Sequence, residues 1–195
     1  MALILISLIG YLMGSIPFGY VVGQMHGVDL RKIGSGSTGG TNVFRALGIR
    51  WALVSGMLDF SKGLLFLIGL RIFTDVSQTQ LWYMELLPML GHIYPVWLGF
   101  RGGKGVSVAF GVLVYFVGAP LSIFVAVLWI IAIKVIKLMS LINLVLFAFV
   151  PLYVFVTTQS VAQTVASCLI AALIWWAHRE NIVRLLSGTE NKLNI

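Results

Sequence analysis

The sequence predicts an all-α integral membrane protein: seven transmembrane helices, N-terminus outside, C-terminus cytoplasmic, with glycine-rich loops on the cytoplasmic side. Three observations predict it. The chain is 59% hydrophobic and only 10% charged, with a mean hydropathy of +1.02, far outside the range of domains that fold in water. Its apolar residues fall in segments at about 2–23, 51–73, 80–99, 106–117, 119–133, 138–157 and 161–177. Its basic residues alternate with them, gathering at every second connection. The 195 residues therefore form one polytopic membrane domain, 1–195.

The first segment opens MALILIS, with no basic stretch before the apolar run and no small-residue cleavage site after it. It is expected to be a retained span, not a signal peptide. Gly10, Gly14, Gly19 and Gly23 recur along it at spacings that let helices approach closely, which is a packing signal. The next segments approach the ~20 residues a helix needs to cross hydrocarbon, whereas 106–117 is short. The stretch 106–133 fits either one long helix or two meeting at Gly118-Ala119-Pro120, and charge decides between them. Residues 24–50 hold Arg31, Lys32, Arg45 and Arg50; 100–105 hold Arg101 and Lys104; 134–137 hold Lys134 and Lys137; the tail holds Arg179, Arg184 and Lys192. The connections DVSQTQ (75–80), GAP (118–120) and TQSVAQ (158–163) hold no lysine or arginine. Seven crossings put all four basic regions in the cytoplasm, and six would strand two of them outside, against the positive-inside rule.

The net charge of +7 is thus a signal of membrane orientation and not of nucleic acid, which is not an expected partner. Cys168 stands alone in an apolar run, which excludes disulfides and cysteine-ligated metals. Three scattered histidines and few carboxylates give no metal-ligand cluster.

The polar residues gather at cytoplasmic ends of spans. GSGSTGGTNVFR (34–45) joins glycines, which admit positive φ and close backbone approach, to the neutral donors Ser35, Ser37, Thr38, Thr41 and Asn42 and to the phosphate-matched fork of Arg45. With a helix starting near residues 41–43, it makes an anion nest; a flexible Gly/Ser linker is the plain alternative. GHIYPVWLGFRGGKGVS (91–107) brackets Lys104 with Gly102, Gly103 and Gly105 just before a helix. It is not a Walker A loop, because Leu98 stands where the first glycine belongs and Gly105 follows the lysine. His92 precedes the helix-breaking Pro95 and fits either a ligand contact or a structural hydrogen bond. In WAHRENIVRLLSGTENK (176–192), His178, Glu180 and Asn181 share one helical turn, with Arg184 following; Trp175 and Trp176 read as interfacial anchors. Asp59 and Lys62, three apart inside the second span, are expected to neutralise each other and support a functional loop.

These residues resemble a known family, the bacterial acyl-phosphate:glycerol-3-phosphate acyltransferases (the PlsY family), over essentially the whole chain. Residues 34–45 are similar to that family's GSGNxGATNxxR, departing at Ser37 and Gly40. LDFSKG (58–63) resembles its DxxKG segment. GHIYPVWLGFRGGKG (91–105) resembles GHxxPxFxxFxGGKG, with Trp97 as the differing aromatic. KLMSLIN (137–143) resembles a basic-xxSLxS segment, matching at Ser140 and departing at Asn143, and HRENIVRLLSGTE (178–190) resembles HRxNIxRLxxGxE. The resemblance implies a monomeric enzyme of the bacterial inner membrane, working at the cytoplasmic side without a cofactor. It would move a fatty acyl group from acyl phosphate to the 1-hydroxyl of glycerol 3-phosphate, with seven spans. It implies catalytic roles for Ser35, His178 and Asn181. Phosphate contacts are implied for Gly36, Ser37, Thr41, Asn42, Arg45, His92, Gly102, Gly103, Lys104 and Ser140, and support from Asp59, Lys62, Glu180 and Arg184. The base stays open between His178 and a substrate phosphate oxygen, and so does which loop holds which phosphate. A carrier for a phosphorylated solute would instead place polar groups near the bilayer midplane with gating loops on both faces. A non-catalytic lipid-binding protein would not need three phosphate-type motifs.

Overall fold

The structure, a computed structural model, describes residues 2–193. Among these residues every regular element is helical. The α-helices are α1 (Ala2–Ser15), α2 (Phe18–Met25), α3 (Gly40–Leu47), α4 (Ile49–Phe73), α5 (Gln78–Met84), α6 (Leu86–Ile93), α7 (Val106–Val117), α8 (Ala119–Ile136), α9 (Met139–Thr158), α10 (Val161–Ala177) and α11 (Arg179–Leu186), with 3₁₀ turns at Leu30–Lys32 and Val96–Leu98. They gather into two compact units, one reaching Tyr115 and the other beginning at Phe116.

In the first unit, glycine lets backbones touch. A Cβ at Gly14 of α1 would collide with the Pro88 backbone of α6, and one at Gly91 of α6 would collide with the Tyr11 carbonyl of α1. Gly63 of α4 lies against the Val108 carbonyl of α7, and Gly111 of α7 against the Phe60 carbonyl of α4. Gly10 faces the Phe66 ring, Gly19 the Thr38 carbonyl, and Gly23 the Val28 carbonyl and Leu30. All four glycines of the first segment are therefore contact points, as their spacing predicts. Gly91→Ala is expected to destabilise the protein by about 1–3 kcal/mol, the usual range for overpacking. Thermal unfolding in detergent would show it, and an unchanged midpoint would contradict the contact.

Two prolines break the spans. Pro17 offers no N–H to a helix, and the helix stops at Ser15 and resumes at Phe18. Pro88 sits four residues after Met84, so its ring excludes that carbonyl from a continuous helix, and the apolar segment 80–99 divides into α5 and α6 at Glu85. α5 opens with a reciprocal capping box: the Ser77 N–H donates to Gln80 Oε1 at 2.7 Å and the Gln80 N–H to Ser77 Oγ at 3.3 Å. The two-helix reading of 106–133 holds. α7 ends at Val117, Gly118 adopts φ +79°, and α8 begins with Pro120 in its first turn.

Four helical stretches are long and apolar enough to cross a membrane: Ala2–Met25, Ile49–Phe73, Ala119–Ile136 and Met139–Thr158. α10 with α11, bent by 63°, gives a fifth where the pair is counted as one span. The 12 residues of α7 span about 18 Å at 1.5 Å each, against about 30 Å of hydrocarbon.

In the second unit α10 packs along α9. Trp175 Nε1 donates to the Leu144 carbonyl at 3.2 Å, and Trp129 Nε1 of α8 donates to Asn143 Oδ1 at 2.8 Å. Ile123, Phe124, Val127, Leu128, Ile131 and Val135 leave α8 with an exposed apolar surface, which suits lipid rather than water.

Candidate functional site

The glycine-rich stretch 34–45 is folded from within by Asn42, which is 1% exposed. Its amide nitrogen donates to the carbonyls of Leu30 (3.0 Å), Ile33 (3.0 Å) and Ser37 (2.8 Å). Its oxygen accepts the Ser35 N–H at 3.3 Å. Gly34 and Gly36 turn the chain with φ of +57° and +67°, a conformation in which a side chain would be strained. Val43 anchors the segment in a small core with Val22 and Leu30. Asn42 and the Ser35 amide, expected among the donors to an anion, are thus committed to the loop itself, because a buried turn must satisfy its own carbonyls. The start of α3 follows this loop. Gly39 is its N-cap and supplies no side-chain cap, and Thr41 and Arg45 stand one turn apart on one face.

The second loop folds back on α6. The Gly102 N–H donates to the Ile93 carbonyl at 3.0 Å and the Gly103 N–H to the His92 carbonyl at 3.1 Å. A Cβ at Gly102 would strike the His92 carbonyl and the Pro95 ring, and one at Gly103 would strike His92 Nε2. These glycines are required by contact with the protein's own chain. The two loops meet. Ser37 Oγ donates to the Gly102 carbonyl at 3.3 Å and accepts the Gly39 N–H at 3.3 Å, and a Cβ on Gly39 would lie 3.9 Å from Gly103 Cα. Ser37, expected at a phosphate, is therefore a tie between loops. Half-buried Lys104 sits beside this junction in sequence, and half-buried Arg45 follows one turn into α3. Arg31 is engaged elsewhere: it pairs with Asp29 at 2.9 Å and lies over the Tyr20 ring. Its side-chain hydrogen bonds hold the half-buried Asp29 carboxyl down at about 2.

Behind the loops, Asp59, Lys62 and His92 form a buried cluster. Lys62 Nζ lies 2.7 Å from Asp59 Oδ1 and 3.1 Å from His92 Nδ1, and it donates to the carbonyls of Gly14 (3.0 Å) and Ile16 (2.9 Å). His92 Nδ1 is 3.4 Å from Asp59 Oδ1. Asp59 and Lys62 pair as expected. His92, expected at a phosphate, is only 7% exposed and lies beneath Gly103.

In the second unit the organising group is Glu190, which the sequence reading quoted in a motif but gave no role. Its Oε1 accepts from Ser140 Oγ at 2.9 Å and Asn181 Nδ2 at 2.6 Å, and its Oε2 accepts from Arg184 Nε at 2.8 Å. Glu180, expected in support, is exposed at the start of α11. Ser140, expected at a phosphate, donates to Glu190. The available signal was Gly188. It takes φ +71°, its N–H bonds the Leu185 carbonyl (3.2 Å), and the Thr189 N–H bonds the Arg184 carbonyl (2.8 Å). This is a Schellman turn, and it swings Glu190 back toward Asn181. The chain is fastened further by the Leu193 N–H on the Lys137 carbonyl at 2.8 Å. His178, 2% exposed, places Nδ1 2.8 Å from the Ile174 carbonyl. A carbonyl only accepts, so Nδ1 carries the hydrogen and a neutral ring has its lone pair on Nε2.

Burial alone would raise the Glu190 carboxyl, but the hydrogen bonds from Asn181, Arg184 and Ser140 outweigh it and hold it below the ordinary 4.5. A lowered folded value means that this stabilisation is fully present above pH 4.5 and fades as pH falls through the folded value. Acid melts in detergent are expected to show the loss, and Glu190→Gln should flatten that part of the profile. An identical acid profile for the variant would remove Glu190 from this role.

Known proteins are similar to this chain over nearly its whole length. A family model for glycerol-3-phosphate acyltransferase matches residues 4–188. The glycerol-3-phosphate acyltransferase of Parasynechococcus marenigrum (strain WH8102) is 40% identical over 195 residues, covering 98% of this chain and 90% of that one. Its counterpart in Aquifex aeolicus (strain VF5) is 39% identical over 193 residues, covering 98% and 100%. Two crystal structures of PlsY (YgiH), an integral membrane glycerol 3-phosphate acyltransferase, superpose over 100% of this chain and 96% of theirs. The glycerol 3-phosphate form gives a TM-score of 0.88 at 38% identity, and the lysophosphatidic acid form 0.86 at 37%.

Proposed function

The chain belongs to the glycerol-3-phosphate acyltransferase family, and we propose that it moves a fatty acyl group from acyl phosphate to the 1-hydroxyl of sn-glycerol 3-phosphate. The products are 1-acylglycerol 3-phosphate and inorganic phosphate, on the path to phospholipids. The observation that carries this reading is the meeting of the two glycine-rich loops at the open N-terminus of α3, flanked by Arg45 and Lys104. A helix N-terminus with a guanidinium fork and an ammonium suits a phosphate-bearing substrate.

Acyl phosphate is a mixed anhydride, so the enzyme's task is alignment. The hydroxyl oxygen bonds to the carbonyl carbon, the bond from that carbon to the phosphate oxygen breaks, and phosphate leaves with the electron pair. The hydroxyl proton goes to the departing phosphate, directly or by way of His178 Nε2. The Ser35 hydroxyl is the side chain we assign to the carbonyl oxygen as its charge develops. No covalent acyl-enzyme and no cofactor is needed. Holding the two reactants in register can contribute about 7–11 kcal/mol. The protein works in this reading as a monomeric single domain of the bacterial inner membrane, with its chemistry at the cytoplasmic side.

The test is phosphate release by purified protein. Release from acyl phosphate should depend on glycerol 3-phosphate, and acyl-CoA or acyl carrier protein should not replace the donor. Release that ignores glycerol 3-phosphate would defeat the proposal. Orientation is tested separately with single cysteines in a Cys168→Ser background and an impermeant thiol reagent on intact cells. Positions 76–80 and 157–163 should label from outside and positions 24–50 should not; labelling of Ser37→Cys from outside would overturn the seven-span topology.

A further inference from the structure

We propose that Asp59, Lys62 and His92 form a positioning relay that ties the break in the first span to the glycine loop before Lys104. The inference rests on the phosphate-binding reading of that loop. An ammonium has hydrogens and no lone pair, so in the 3.1 Å contact between Lys62 Nζ and His92 Nδ1 His92 is the acceptor; the competing arrangement, an Nδ1 hydrogen donated to Asp59 Oδ1 at 3.4 Å, is the longer contact. Its ring hydrogen is then on Nε2, the atom against which Gly103 is seated. The His92 carbonyl holds the same residue from the other side, through the Gly103 N–H at 3.1 Å. Gly103 is gripped by both ends of one histidine, and Lys104 follows it.

Lys62 is fixed in turn by more than its partner carboxylate. It donates to the carbonyls of Gly14 at 3.0 Å and Ile16 at 2.9 Å, just where Pro17 interrupts the span. Carbonyls at a helix C-terminus favour a cation. Asp59 Oδ1 at 2.7 Å neutralises the ammonium as an ion pair, without a directed hydrogen bond, as a buried charge requires. One side chain therefore closes the end of α1, pairs with α4's own carboxylate and sets the tautomer of the histidine under the loop. These residues act through Lys104; none of them need touch substrate.

The tautomer is measurable in the wild-type protein. Three imidazoles are present. His26 and His178 place Nδ1 on carbonyls, both at 2.8 Å, so ¹⁵N-histidine spectra should show one ring with hydrogen on Nε2 and a lone pair on Nδ1. Absence of any such ring would overturn the relay. The second test is kinetic. His92→Asn keeps an acceptor for Lys62 but loses the group under Gly103. It should raise the same KM that Lys104→Ala raises, by about ten- to a hundredfold, the scale of a small misplacement at a site, while kcat changes far less. Introduced into Lys104→Ala, it should add little. Lys62→Arg, which keeps the charge and loses the geometry, should behave alike. Unchanged KM, or effects that multiply fully in the double variant, would refute positioning through Lys104. An inactive wild-type enzyme would instead refute the functional reading, leaving the spectrum to judge the tautomer.

Discussion

Lys104→Ala is expected to raise KM for glycerol 3-phosphate by about ten- to a hundredfold, and Arg45→Ala to do likewise. In the proposed reading each substitution removes a charge-assisted hydrogen bond to phosphate, which contributes about 1.5–3 kcal/mol, and about 1.4 kcal/mol is tenfold in affinity. Asn42, Ser37 and the Gly102 and Gly103 amides make bonds that shape the loops. The loss is expected as weaker binding, with a thermal midpoint in detergent close to wild type for both variants. Lys104→Arg should recover less than its charge suggests, because a planar fork does not replace a compact ammonium. Kinetic constants within about twofold of wild type for both alanine variants, well under one hydrogen bond, would retire the cradle.

The helices were legible because hydropathy marks them directly, and the break at Gly118 because charge parity demanded it. The break at Glu85 was hidden. Pro88 acts on the carbonyl four residues earlier, and averaged hydropathy passes over both it and the single carboxylate of Glu85 in the segment 80–99. At the site, residue types were legible and their assignments less so. Asn42, Ser37 and Ser140 are the polar donors an anion would want, and they are equally what a buried loop needs for its own carbonyls and carboxylate. Glu180 illustrates a geometric limit. It adjoins Asn181 in sequence, but neighbours on a helix point about 100° apart. Glu190, nine residues on, reaches Asn181 because Gly188 reverses the chain. Such a partner is found from turn chemistry rather than from helical spacing.

His178→Asn is expected to lower kcat by about 10²–10⁴-fold, the range for loss of a general base, with KM for glycerol 3-phosphate moving much less. The Ile174 carbonyl at 2.8 Å from Nδ1 fixes the ring so that Nε2 is the acceptor, which is the tautomer a base requires. Asparagine can keep an N–H for that carbonyl, so the end of α10 should stay intact while the acceptor is lost. In the wild type the rate should fall on the acid side as His178 takes up a proton, and the variant should lose that limb. The competing role is orientation: if His178 only holds the substrate in place, the same substitution should raise KM and leave the acid limb in position. A reactive anhydride asks little of a base once the hydroxyl is aligned, so the two outcomes differ in mechanism as well as size. A near-normal kcat with a raised KM and an unchanged pH profile would assign the proton to the departing phosphate and leave His178 as a positioning residue.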